Sequence, residues 1–278
     1  MTAFDTTDLT GRTVLVTGAG SGIGRSLALL CAQRGARLVI CDLDQERLQA
    51  SERAVAASGR EVLARRVDVS DRDAMGAFAG EVHETAGAVD LLINNAGVGM
   101  MGGVLDTPLE DWDWIVSINI FGVVHGLHFF LPPMVERRSG HVVNLASMAG
   151  YVASPAMAAY TATKYAVLGL SESLSEELRP AGIGVTAACP GIIATSIIAD
   201  TRILGVDDAY ATRAKIDGFY RRRGYGPDRV ARSILRSVAR GRTVAPVSPE
   251  AWAGYAIKRL SPRLNARLTT RSTRRITG

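Results

Sequence analysis

The sequence predicts a single-domain α/β protein, built as a doubly wound parallel sheet flanked by helices. Three observations predict it. Short runs rich in Val, Ile and Leu alternate with helical stretches at intervals of about 25 to 30 residues, the rhythm of parallel strands joined by right-handed crossovers. These runs lack polar alternation, which suits strands covered on both faces. A glycine-rich turn joins the first run to the first helix. With 278 residues and 47% hydrophobic content, the chain buries a large core as one domain.

The first unit is Arg12 to Leu30: a strand over Thr13-Val14-Leu15-Val16-Thr17, a turn containing Gly18, Gly22 and Gly24, and a helix from about Ser21. Those glycines permit positive φ, let a phosphate approach bare backbone, and let the helix sit close on the sheet. The helix start offers unpaired N–H groups and partial positive charge, so a pyrophosphate suits it. A purely structural tight turn would use the same three glycines, and the residues alone leave both open.

A second strand, Arg37 to Cys41, ends in Asp42, 24 residues after Gly18. That is where a dinucleotide fold places an acid for the adenosine ribose hydroxyls, although a strand-end Asp also suits capping of the next helix. Neither Leu43 nor Ser21 supplies a cation for a 2′-phosphate. A helix over about Asp44 to Ala57 leads to a strand from Glu61 to Val67, closed by Asp68-Val69. Ser70 is expected to cap a helix with Asp73 at N3, ending near Gly87.

The strand Val89 to Ile93 runs into Asn94-Asn95-Ala96-Gly97, small residues and amides suited to a cofactor lying against backbone. Thr107-Pro108-Leu109-Glu110 reads as cap, N1 proline and N3 partner of another helix. The apolar segment Trp112 to Arg137 is helical, with Asn119 inside it as the mark of a kink. His125 and His128 share a helix face but have no third ligand, so packing or interface roles are favoured over metal.

His141 to Ala146 is a strand ending in Ser147, the helix Ala158 to Leu178 carries Tyr160 and Lys164, and a sixth strand runs from Ile183 to Cys189 before Pro190-Gly191. Residues 192–225 are expected to form a helical substrate flap, Gly226-Pro227-Asp228 to start a helix, and Thr243 to Val247 to form an edge strand. A dinucleotide-binding domain is thus expected over residues 1–248, with a basic arm at 249–278. Ligands in such sheets lie beyond the carboxyl ends of the strands, where Gly18, Asp42, Asn94, Ser147 and Pro190 fall.

Tyr160 and Lys164 are four apart and share a helix face. A tyrosine of ordinary pKa, about 10, is a poor base near neutrality, and a nearby ammonium favours the phenolate. Ser147, on a neighbouring strand end, is placed to hold a substrate oxygen beside the phenol.

The net charge of +5 conceals an asymmetry: 14 basic against 22 acidic side chains up to Thr201, and 18 against 5 after it. The high pI therefore reports on the C-terminal quarter. Trp252, Ala256, Leu260, Leu264 and Leu268 recur every four residues beside Arg259, Arg263, Arg267 and Arg271, an amphipathic helix interrupted at Ser261-Pro262. An anionic membrane surface or the acidic body of this or another subunit would suit it, with docking on protein favoured. The arm lacks the interleaved aromatics of a nucleic-acid binder beyond Trp252 and Tyr255, so no nucleic acid is expected. Cys31, Cys41 and Cys189 stand far apart in apolar segments, as small buried hydrophobes of a reducing compartment. The start MTAFDTTDLTGR has no basic n-region or apolar h-region, and no stretch is expected to span a bilayer; a cytoplasmic location is the expectation.

Together the motifs resemble the short-chain dehydrogenase/reductase (SDR) family: TGAGSGIG over Thr17 to Gly24, Asp68, NNAG over Asn94 to Gly97, Asn119, Ser147, YxxxK over Tyr160 to Lys164, and Pro190-Gly191 followed by Thr195. They stand in the family's order over about residues 9 to 200. The resemblance implies a Rossmann-type fold and hydride exchange between nicotinamide and an alcohol or carbonyl. It implies Tyr160 as acid/base, Ser147 on the reacting oxygen, Lys164 on the nicotinamide ribose and lowering the Tyr160 pKa, and Asn119 anchoring a relay water. Cofactor contacts are implied at Gly18, Ser21, Gly22, Ile23, Gly24, Asp42, Asp68, Val69, Asn95, Ala96, Gly97, Tyr160, Lys164, Pro190, Gly191 and Thr195. Asp68 would meet adenine, Thr195 the carboxamide, and Asp42 resembles the family's NAD-selecting acid, making NADP the less favoured cofactor. A homodimer or homotetramer is also implied. Val98, Met100, Met101, Met148, Tyr151, Val152, Ala153 and Met157 surround the expected pocket, which suits an apolar alcohol or ketone such as a steroid, a retinoid or a long-chain alcohol. The alternatives are an NADP-dependent carbonyl reductase and a cofactor-binding regulator without chemistry.

Overall fold

The computed structural model describes residues 4–193, 196–223, 225–266 and 268–269. Seven parallel strands form one sheet in the order β3-β2-β1-β4-β6-β7-β9. They are β1 (Thr13–Thr17), β2 (Arg37–Asp42), β3 (Val62–Arg66), β4 (Leu91–Asn94), β6 (Gly140–Leu145), β7 (Ile183–Cys189) and β9 (Val244–Pro246). Two short strands, β5 (Met100–Met101) and β8 (Arg202–Ile203), pair in parallel apart from it. The helices are α1 (Gly22–Gln33), α2 (Gln45–Ala56), α3 (Arg72–Ala86), α4 (Leu109–Val116), α5 (Gly122–Glu136), α6 (Ala158–Leu178), α7 (Ala209–Arg223), α8 (Pro227–Ala239) and α9 (Pro249–Leu260).

The absence of polar alternation in the strands has a direct cause. In β1, Val14 and Val16 pack with Leu27 of α1, Leu48 of α2 and Ile234 of α8, while Leu15 points into the opposite layer with Phe78 of α3, Phe130 of α5 and Val167 of α6. Both faces are dry, so both residue parities are apolar. The chain leaves β1 toward β2 and β3, then returns to β4 on the other side. The crevice between β1 and β4 is therefore the switch point at which ligands bind in such sheets.

Two helix starts differ from expectation. Asp71, not Ser70, caps α3 by accepting from the N–H groups of Asp73 and Ala74, and Ser70 instead donates its hydroxyl to Asp68 at 2.7 Å. A carboxylate one residue later outcompetes a hydroxyl for two orphan donors. Thr107 likewise donates to the Gly103 carbonyl at 2.7 Å, and α4 begins after Pro108 without a side-chain cap.

Leu109–Glu136 is one continuous helix, 28 residues long and apolar enough to cross a membrane by length and composition, contrary to the expectation that no stretch would be. Its Val123, Leu127, Phe130 and Met134 form a buried core stripe. A π-helical turn, Ser117–Phe121, interrupts it at Asn119, where the kink was expected. His125 bonds the Val69 carbonyl through Nδ1 at 2.8 Å, and His128 packs edge-on against Phe129. All three cysteines are buried.

The flap is helical over α7 but also contains β8, whose partner β5 follows the NNAG segment. Two-residue strands carry no periodicity, so nothing in the sequence marked them. The first turns of α9 dock on the body: Ala251 is buried, Tyr151 donates its hydroxyl to the Ala251 carbonyl at 2.9 Å, and Tyr151 and Tyr255 pack edge to face. The helix breaks at Ser261-Pro262 as expected, and Ser261 Oγ accepts from Leu264 N at 3.3 Å. Trp252, Leu260, Leu264 and Leu268 remain exposed, whereas Arg267 and Arg271 of the expected basic row lie outside the described residues.

At the opposite end of the sheet, His141 is buried with Nε2 at 2.9 Å from Thr186 Oγ1, and burial pushes its pKa from 6.5 down to about 3. Because the unfolded chain binds this proton first, stability is fully present above pH 6.5 and falls as pH drops toward 3. The expected loss is about 2 kcal/mol by about pH 5. Urea titrations of the parent and His141→Gln check it: the variant's midpoint should move less between pH 7 and pH 5. Equal movement would show that His141 does not carry the effect.

Candidate active site

The glycine turn after β1 is built by backbone. Gly18 and Gly22 take φ of +64° and +53°, and a Cβ on Gly24 would lie 2.1 Å from the Gly18 carbonyl oxygen. Glycine is thus required twice for conformation and once for contact. Ser21 stands at the N-cap of α1, Ile23 lies in its first turn, and no acidic residue occupies that turn, so the partial positive charge of the helix end is not neutralised from within. Bare backbone facing a helix N-terminus fits a pyrophosphate.

Asn95 locks this turn to the end of β4. Its Nδ2 donates to the carbonyls of Thr17 and Gly18, both at 2.9 Å, while Thr17 Oγ1 accepts from the N–H groups of Asn95 and Ala96 at 3.0 Å each. Thr17 was passed over as part of the glycine motif, yet it holds the two segments together. Asp42 grips the same turn, accepting from Gly20 N at 2.7 Å and from Asp44 N at 2.9 Å. Capping of α2 falls to Asp44, which leaves Asp42 to the crevice. Two cations that sequence adjacency did not reveal lie nearby: Arg47, and Arg66, which pairs in register with Asp42 and donates to the Leu43 carbonyl at 3.0 Å. Asp68 accepts from Ser70 N at 2.9 Å, and Val69 is buried under Gly122.

Four further residues meet at the carboxyl ends of β4 and β6. Asn119 is fully buried; its Oδ1 accepts from Val98 N at 2.8 Å and its Nδ2 donates to Val98 O at 3.0 Å. Its bonds go to the segment after Gly97 and to Thr163 of α6, not to its own helix. A Cβ on Gly97 would lie 3.1 Å from Asn119 Oδ1 and 3.4 Å from Lys164 Nζ, so these three groups crowd one spot. Lys164 Nζ donates to the Leu145 carbonyl at 2.9 Å and lies 5.7 Å from the Tyr160 ring centroid. Burial pushes the Lys164 pKa down from 10.5 to about 8.

Ser147 follows Leu145 by two residues, accepts from Ala149 N at 3.1 Å and reaches the Pro190 carbonyl at 3.5 Å. Gly150, just beyond it, packs on the Lys164 backbone so closely that a Cβ would lie 2.8 Å from the Lys164 carbonyl oxygen. Pro190 O also accepts from Met148 N at 2.7 Å, and Glu250 Oε1 accepts from Ile192 N at 2.8 Å beyond Gly191. Thr195 lies outside the described residues.

Two supporting features escaped the sequence reading. Thr163 Oγ1 accepts from Asn119 Nδ2 at 3.1 Å and donates to the Tyr160 carbonyl at 2.8 Å, tying the π-turn to α6. A buried amide chain runs from Asn94 Nδ2 to Asn144 Oδ1 at 2.9 Å and from Asn144 Nδ2 to Ser171 Oγ at 3.0 Å. Asn144 beside the apolar Val142, Val143 and Leu145 of its strand was the available signal. Of the expected apolar pocket wall, Met100, Tyr151 and Val152 are buried in packing and Ala153 is exposed, while Val98, Met101, Met148 and Met157 are half-buried.

The comparisons agree with this geometry. The family model described as short chain dehydrogenase matches residues 12–203. A Mycobacterium tuberculosis protein named "Probable oxidoreductase EphD" is 42% identical over 254 residues, 90% of this chain and 43% of that protein. The chain thus spans less than half the length of that relative. Oxidoreductase UcpA of Salmonella typhimurium is 39% identical over 188 residues, 67% of this chain and 71% of its own. The crystal structure of an SDR protein from Burkholderia phymatum in complex with NAD superposes with a TM-score of 0.85 at 32% identity, covering 92% of this chain and 96% of that one. A metagenomic short-chain oxidoreductase in complex with NADP gives 0.68 at 32% identity, covering 83% and 91%. By fold, site geometry and family match, the chain belongs to the short-chain dehydrogenase/reductase family of oxidoreductases.

Proposed function

We propose that the chain is an NAD-dependent oxidoreductase acting on an apolar secondary alcohol or ketone. One observation carries this reading: Lys164 Nζ is buried against the Leu145 carbonyl and the Tyr160 ring, at the strand end that leads to Ser147 and beside Asn119 of the π-turn. A nicotinamide dinucleotide, when bound, supplies the hydride acceptor or donor.

The chain's own residues do the rest. Tyr160 exchanges the substrate hydroxyl proton through its phenolic oxygen, and Ser147 Oγ holds the substrate oxygen beside it. With a pKa of about 8, Lys164 is mainly an ammonium near neutrality, and its charge favours the Tyr160 phenolate. Asn119 fixes the π-turn against Val98 and so positions the backbone over which a relay water is held. Asp42 would hold the ribose hydroxyls, Asp68 would meet adenine, and the Gly18 to Gly24 turn would receive the pyrophosphate.

Tyr160 packs in a cluster with Met100, Ile115, Val98, Trp112, Trp114 and Leu204, which supports an apolar substrate. Buried free cysteines suit a cytoplasmic setting, and a homodimer or homotetramer is the assembly proposed. The experiment is a panel of apolar secondary alcohols and ketones assayed with NAD(H) and NADP(H), following nicotinamide absorbance. Turnover should appear with NAD(H) on bulky apolar members. Turnover confined to NADP(H), or to charged substrates, would overturn the corresponding half of the proposal.

A further inference from the structure

The flap after β7 carries an acid that reaches the adenosine side of the crevice. Asp200, just before β8, accepts a hydrogen bond from Arg47 Nη1 at 3.0 Å, although the two are 153 residues apart. The same guanidinium pairs through Nε with Asp44 Oδ2 at 3.0 Å. Arg47 stands at the glycine turn: a Cβ on Gly20 would lie 2.8 Å from Asp42 Oδ2 and 2.9 Å from Arg47 Cβ. The carboxylate assigned to the ribose hydroxyls and this arginine therefore wall the same glycine. An arginine there is suited to a 2′-phosphate, because its planar fork matches phosphate oxygens. Here acids occupy two of its nitrogens.

We propose that Asp200 is a specificity-determining residue that, by holding Arg47, withholds the guanidinium from a cofactor 2′-phosphate and adds to the NAD preference set by Asp42. This rests on the NAD reading above. It also couples cofactor choice to the flap, since Asp200 lies two residues before Arg202, whose strand pairs with β5 on the substrate side. Both partners are about half exposed, at 42% and 50%, so solvent screens the pair and its effect is modest.

The test compares binding of adenosine 2′,5′-bisphosphate and adenosine 5′-monophosphate by calorimetry, which requires neither nicotinamide nor turnover. Asp200→Asn should tighten the bisphosphate by about threefold to fivefold relative to the monophosphate. Asp200→Ser, of different shape, should do the same, and adding Arg47→Gln should abolish the gain. An unchanged ratio in both variants overturns the proposal. So does an equal change for both ligands, which would make Asp200 only a flap contact, or a gain that survives Arg47→Gln, which would assign it to Arg66. A parent protein that prefers the bisphosphate would instead contradict the NAD reading, while the variant ratios would still decide the role of Asp200.

Discussion

Tyr160→Phe should lower turnover by about 10² or more while leaving cofactor affinity within about twofold. The phenylalanine ring keeps the packing against Met100 and Ile115, so the fold and the apolar wall survive. What disappears is the phenolic oxygen proposed to carry the substrate proton. Lys164 itself keeps its bond to the Leu145 carbonyl, so the cofactor side of the site is undisturbed. Steady-state rates and NADH fluorescence titration on the same preparation separate the two quantities. Near-normal turnover would remove Tyr160 from the chemistry.

Replacing Asp42 by Ala together with Leu43 by Arg should move the NADP to NAD ratio of kcat/KM by about 10² in favour of NADP. The parent carboxylate would meet a 2′-phosphate with like charge, and its removal ends that repulsion. Leu43 is 54% exposed, so an arginine there is accommodated and adds a charge-assisted bond, each such bond being worth about 1.5–3 kcal/mol. The change has a cost to both cofactors, because Gly20 N and Asp44 N lose the acceptor that orders the turn. NAD efficiency should therefore fall more than NADP efficiency rises. Equal efficiency with both cofactors in the unmodified protein would contradict the role given to Asp42.

The sheet was legible because the central strands, such as β1, β4, β6 and β7, are dry on both faces and each crossover is helical. Ala158–Leu178 and Ile183–Cys189 fall where their patterns place them. The site was legible for a different reason: the glycine turn, the NNAG segment, Ser147 and the Tyr160–Lys164 pair each sit at a strand end or on one helix face, so local order already places them. What escaped is long in sequence or short in extent. The bonds from Arg47 to Asp200 and from Ile192 to Glu250 join residues 153 and 58 positions apart. Asn119 shows both sides, since an interior Asn announced a distortion, but its partner Val98 came from a loop 21 residues upstream.

Isotope tracing distinguishes direct hydride transfer at the Tyr160 centre from every other outcome. An alcohol turned over in the panel, deuterated at its carbinol carbon, is incubated with NAD, and the NADH formed is weighed by mass spectrometry. Direct transfer predicts NADH heavier by one mass unit, no label exchanged with solvent, and loss of the labelled product in Tyr160→Phe. Unlabelled NADH would contradict direct transfer from the carbinol carbon, and bound NAD that is never reduced or consumed across the panel in either direction would leave a cofactor-binding protein that performs no redox chemistry.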